Sequence, residues 1–85
     1  MEQRVREIIK RETGLDVTDK CRREEYVEVR ALYYTVLREL GYSYCRIART
    51  VGKRHGTVIY GLNYYKDINS IQINKLEQLI IKELL

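Results

Sequence analysis

The run Lys53-Arg54-His55-Gly56-Thr57 brings together two long cations, an imidazole, a residue with no side chain and a short hydroxyl. These are groups suited to nucleic acid. Ammonium and guanidinium groups neutralise phosphates, a guanidinium can fork onto O6 and N7 of guanine, and a threonine can meet a thymine methyl or a base acceptor. Catalytic chemistry fits less well. His55 is the only histidine, no nucleophile–base pair or orienting carboxylate stands out, and no GxxxxGK[ST] phosphate loop occurs. The acidic residues show no spacing that argues for a paired acid and base. The expectation is therefore a protein that is not an enzyme. Cys21 and Cys45, the only cysteines, fall short with His55 of the four ligands of a structural zinc site. In a reducing compartment, two such thiols read as packing residues. No cofactor is expected.

Charge placement agrees with the chemistry of that run. The chain carries 16 Lys and Arg against 12 Asp and Glu, a net charge of +4. Between Glu39 and Asp67 there is no acidic residue, while Arg46, Arg49, Lys53, Arg54 and Lys66 fall in that stretch. Beyond Lys66 the acids Asp67, Glu77 and Glu83 answer Lys75 and Lys82. The positive field is concentrated on the middle of the chain, as on a phosphate-facing surface. All eight aromatic residues are tyrosines. Tyr33 and Tyr65 lie at core spacings, whereas Tyr60, Asn63 and Tyr64 fall away from the apolar stripe around them and are expected to face solvent or a ligand. A Tyr60 hydroxyl beside a basic helix start is placed to meet a phosphate oxygen.

The elements that must hold these groups are helices. Eighty-five residues with 45% apolar composition suffice for one small domain, residues 1–85, and no apolar run approaches the roughly 20 residues of a membrane span. The N-terminus MEQRVREIIKRE is charged throughout, unlike a signal peptide, so a cytoplasmic protein is expected. Gly14, Gly41 and Gly52 each follow a helical pattern, as helix-ending glycines do. A first helix is predicted over about residues 2–12 with Val5, Ile8 and Ile9 on one face. Leu15 and Val17 then anchor a connector in which Thr18 or Asp19 caps a turn. The longest helix, about residues 24–40, carries Val29, Leu32, Tyr33, Val36, Leu37 and Leu40 and should be central. Ser43 is placed to cap a short helix, Tyr44 to Val51, that buries Ile47, Ala48 and Val51. A further helix, about residues 54–66, should bury Val58, Ile59, Leu62 and Tyr65. The two helices about Gly52 make a helix-turn-helix over about residues 43–66. A last helix, about residues 70–85, carries Ile71, Ile73, Leu76, Leu79, Ile80, Ile81, Leu84 and Leu85, a wide apolar surface able both to pack on the domain and to meet a second copy or a partner protein. The fold class expected is all-α, with about five helices.

From about Val5 to Lys66 the order of features resembles the C-terminal DNA-binding domain of the bacterial replication initiator DnaA, a helix-turn-helix fold in the broad group of the Trp repressor. The matching pieces are the basic loop Lys20-Cys21-Arg22-Arg23, Arg30, Leu37-Arg38-Glu39-Leu40, Ser43 with Ile47, and Gly52-Lys53-Arg54-His55-Gly56-Thr57-Val58. The last block is the most specific. The resemblance implies that Arg22 reaches a minor groove and that Arg54 to Thr57 read the major groove. It also implies that Ser43, Tyr44 and Tyr60 sit near phosphates, with Lys20, Arg30 and Lys53 counted among the DNA-contacting residues. Two positions depart from the family pattern: its aspartate is Arg54 here, and the first of its two threonines is Gly56. The docking mode carries over, but the recognition sequence does not. Nothing matches the initiator's ATPase portion.

The function expected is a duplex DNA-binding module, a small transcriptional regulator or a replication accessory at initiator-like sites. Its partners would be double-stranded DNA and a homodimer mate or protein partner on the C-terminal helix, with no membrane role. The rival is a helical protein-interaction adaptor that keeps the fold without DNA, for which Arg54 and Gly56 are the best evidence.

Overall fold

Apolar residues three and four apart form one face of each predicted helix, and in the structure each face turns to a common interior. The computed structural model describes residues 1–67, Asp67 by its backbone alone, and residues 71–84. Five helices follow in order: α1 (Glu2–Thr13), α2 (Glu24–Glu39), α3 (Tyr44–Val51), α4 (His55–Asp67) and α5 (Ile71–Leu84). No strand occurs among the described residues. Residues 70 and 85, the expected ends of the last helix, lie outside them. The radius of gyration, 11.5 Å, is close to the ~12 Å of a compact chain of this length.

Helix α2 is the axle of the molecule and packs on all four other helices. Ala31, Leu32, Tyr33 and Tyr34 are buried in succession, so its middle has no solvent face. Val5, Ile8 and Ile9 of α1, Ile47 and Ala48 of α3, Val58 of α4, and Ile73, Leu76 and Ile80 of α5 complete one cluster with it. Val17 joins from the connector, and Leu15 packs against the cluster as expected. Three residues of the predicted stripes stay out, among them Ile71, 71% exposed at the start of α5. Leu40, 40% exposed, lies past the end of α2, where the helical rotation that would carry it inward has stopped. Ile59 is 37% exposed because α4 presents Val58, Gly61, Leu62 and Tyr65 to the core. Glycine completes that stripe. A Cβ on Gly61 would come within 2.6 Å of Cδ2 of the buried Tyr34 ring, so α4 reaches α2 closely because the side chain is missing.

Polar links hold the helices where the apolar contacts leave them. The Thr50 hydroxyl donates to the Ile47 carbonyl at 2.7 Å, leaving Tyr33 Oη to donate to Thr50 Oγ1 at 2.6 Å. Burial lifts the Tyr33 phenol above its ordinary pKa. Tyr42 Oη donates to Glu2 Oε2 at 2.7 Å, and this bond holds the Glu2 carboxyl below the usual carboxylate value. Tyr65 of α4 donates to Glu77 of α5 at 2.6 Å; burial first, and that bond second, push its phenol well above the ordinary tyrosine value. Glu39, at the end of α2, has its pKa raised by desolvation and then by the like charge of Glu77. On the surface Arg11 joins α1 to α5 through Glu83 at 2.7 Å.

Two measurements check these contacts. Gly61→Ala should lower stability by about 1–2 kcal/mol in chemical denaturation, because overpacking against Tyr34 outweighs the helix propensity that alanine adds. Glu39→Gln should stabilise at pH 7. A carboxyl whose folded pKa is raised contributes stability below its unfolded pKa and loses it as pH rises through the folded value. The advantage of the Glu39→Gln variant over the parent should therefore shrink as pH falls through the carboxylate range.

Candidate nucleic-acid interface

Two left-handed glycines set the path of the chain into and out of α3. At the end of α2, Gly41 (φ 95°) sends its N–H to the Arg38 carbonyl while Tyr42 N–H bonds the Leu37 carbonyl. At the end of α3, Gly52 (φ 66°) bonds Arg49 at 3.4 Å and Lys53 N–H bonds Ala48 at 2.9 Å. Both are the paired bonds of a Schellman turn, which needs a positive φ at its glycine. Between them, Ser43 Oγ accepts the Arg46 N–H at 3.2 Å and caps α3 as its sequence position predicts. Lys53 and Arg54 then cross to α4 with Thr57 N–H bonded to the Arg54 carbonyl at 3.0 Å.

This path leaves the expected contact residues on the surface. Lys53, Arg54, His55, Gly56 and Thr57 are exposed one after another, and Tyr60, one turn on, is 71% exposed. Ser43 and Tyr44 are exposed at the start of α3. No ion pair among the described residues engages Lys20, Arg22, Lys53 or Arg54; those found lie on α1 and its contact with α5. The N-terminal end of α4 thus combines unpaired cations with the positive end of the helix dipole. A Cβ on Gly56 would meet nothing within 4 Å, and its φ is not positive, so neither packing nor backbone geometry calls for glycine there.

The loop before α2 is organised from a distance. Asp16 Oδ1 accepts from the Thr18 N–H and hydroxyl at 2.9 and 2.6 Å, which keeps its carboxyl below the ordinary aspartate value. Asp19 Oδ1 accepts from Cys21 N–H at 2.9 Å. The expected turn cap at Asp19 is present, while Asp16, with Thr18 as its donor, caps the turn before it. Arg30, on the second turn of α2, forks back onto this loop: Nη1 donates to the Asp19 carbonyl at 2.7 Å and Nη2 to the Cys21 carbonyl at 2.8 Å. Its guanidinium is therefore engaged within the protein, and Lys20 and Arg22 are held outward on either side of Cys21. Tyr64 is half-buried rather than exposed, a departure from expectation. Desolvation raises its phenol, with Glu24, Glu28 and Tyr60 as its charged or titratable neighbours. Those neighbours put the first turns of α2, which continue the Lys20–Arg23 loop, alongside the Tyr60 side of α4.

Two arginines to which the sequence assigns no contact of their own, Arg38 in the Leu37–Leu40 match and Arg46 in the acid-free stretch, shape the other side. Arg38 Nη1 donates to the Tyr42 carbonyl at 2.9 Å and its guanidinium lies 4.6 Å from the Tyr44 ring centre. Arg46 stacks 4.1 Å over Tyr42 and lies in the field of Glu2. Both hold tyrosine rings at the start of α3. Their signal is the pair of tyrosines beside the Gly41 turn, but a stacked arginine and a free one look alike in sequence. Cys21 is half-buried, Cys45 exposed, and both thiols are free. In comparison with known proteins, no family model, no curated protein and no solved structure matches this chain.

Arg30→Ala should leave the core intact while releasing the loop. Amide exchange at Asp19 to Arg22 should speed up at least severalfold with α2 and α5 protection unchanged, because the two carbonyls lose charge-assisted bonds.

Proposed function

We propose that the protein binds duplex DNA with the first turn of α4 in the major groove, using α3, the Gly52 turn and α4 as a helix-turn-helix of the Trp repressor and DnaA C-terminal kind. The observation that carries this is the unbroken exposed run Lys53 to Thr57 at a helix N-terminus, unpaired, in a stretch with no acidic residue from Glu39 to Asp67. In such a complex Arg54 and Thr57 face base edges, and Lys53, Tyr44 and Tyr60 meet phosphates. Lys20 and Arg22, presented by the Arg30 fork, reach the backbone or the adjacent minor groove. Ser43 caps α3 toward the same strand, and His55 adds a ring donor at the helix start. A module of this kind serves as a small transcriptional regulator or as a replication accessory at initiator-like sites.

Gly56 gains a reason on this proposal that the fold does not provide. Without a side chain there, the α4 backbone can come close to the groove floor.

Selection from a random duplex pool should enrich a defined sequence, and binding should weaken steeply and log-linearly with salt. Lys53→Ala should weaken all sequences alike, while Arg54→Ala should relax one base position by about 1–3 kcal/mol. Gly56→Ala should raise stability by up to about 0.5–1 kcal/mol through helix propensity and yet reduce duplex affinity. No enrichment in the pool, or a Gly56→Ala chain that is both more stable and binds DNA equally well, would count against the proposal.

A further inference from the structure

Away from α4, a groove of about 520 Å³ runs between the end of α1, the first half of α2 and α5. Its floor is apolar: Val29, Ile73 and Leu76 are buried there, and Leu15 and Leu79 form half-buried walls. Its rim is acidic, with Glu12, Glu25 and Glu28 opposed by Lys75 alone. In a chain of net charge +4 this is a local reversal of sign.

Helix stability accounts for only one acid of that rim. Glu25, in the first turn of α2, is favoured by the helix dipole, but Glu12 sits in the last turn of α1, where a negative charge is disfavoured. Arg11 offsets part of this through Nε at 3.1 Å, while its Nη2 is engaged by Glu83. Glu28 lies in the second turn of α2 with no ion-pair partner among the described residues. The groove is also unsuited to the other occupants. Three carboxylates repel DNA, and a small polar ligand would find no ring of convergent donors on an aliphatic floor. A second copy offers its large exposed apolar residues, among them Leu40, Ile59, Tyr60 and Ile71, on separate elements and not as the single helical stripe such a groove takes.

We propose that this groove docks a short basic amphipathic segment of a partner protein, its apolar side chains on Val29, Leu76 and Leu79 and its Lys or Arg side chains on Glu12, Glu25 and Glu28. The segment would lie as an amphipathic helix in a groove, with charge selecting the partner. This site stands apart from the DNA-binding proposal and succeeds or fails without it. It narrows the partner-binding role of α5 from its whole apolar surface to one flank.

The test uses two capped peptides of about 14 residues with the same helical leucine pattern, one with lysines and one with glutamates at the polar positions. The lysine peptide should shift the amide signals of Val29, Leu76 and Leu79 in the labelled full chain, and the glutamate peptide should not. Glu25→Lys with Glu28→Lys should weaken the lysine peptide by roughly tenfold or more. Glu25→Gln with Glu28→Gln, which keeps side-chain shape and the helix start, should weaken it by a smaller factor in the same direction. Circular dichroism confirms that each variant is folded. Equal binding of both peptides, shifts that map to another surface, or an unchanged affinity in the double Glu→Gln variant would overturn the proposal. So would groove signals that move with protein concentration alone, which would assign the groove to a second copy.

Discussion

Burial of four consecutive residues, Ala31 to Tyr34, forces the other helices to surround the middle of α2. Consecutive side chains on an α-helix point about 100° apart, so a run of four covers nearly the whole circumference. No single neighbour can shelter such a helix. The chain answers with α1, α3, α4 and α5 around it, and α4 comes nearest by presenting Gly61 to the Tyr34 ring. Once α4 is fixed along that line, its N-terminal turn has to project beyond the core, since Val58 is the first of its residues to be buried. The exposed run Lys53 to Thr57 follows from the same packing.

The fold also separates charge. Cations gather on the turn before α4 and on the loop before α2, and each group is held by a rigid device. The Schellman turn at Gly52 uses the Lys53 backbone N–H, leaving its ammonium free, and the Arg30 fork holds the loop carbonyls on either side of Lys20. Pre-organisation of this kind lowers the entropy lost when mobile cations are fixed on a ligand. The acids Glu12, Glu25 and Glu28 line the groove between α1, α2 and α5. One small chain thereby carries two faces of opposite chemistry.

Much of this is legible in residue order. Three- and four-residue spacing locates all five helices to within a residue or two, since a helix must bury one continuous stripe. Ser43 as cap and Gly14, Gly41 and Gly52 as stops follow from local backbone chemistry. Where the stripe meets non-local geometry, spacing fails. Leu40 keeps the period after the helix has ended, Ile59 outranks Gly61 because a glycine carries no hydrophobic signal, and Tyr64 turns toward Glu24 and Glu28. At the candidate interface, the identity and exposure of Lys53 to Thr57 can be read directly, whereas the roles of Arg30, Arg38 and Arg46 depend on carbonyls and rings brought close only by folding.

The proposed major-groove contact of α4 is tested most directly by methylation interference on a duplex taken from the selected pool. A methyl group at guanine N7 stands in the major groove, and one at adenine N3 stands in the minor groove. If α4 lies in the major groove, N7 methylation of the contacted guanines should block binding, with N3 interference confined to the neighbouring step reached by Arg22. Binding that is indifferent to N7 methylation at every guanine would contradict it.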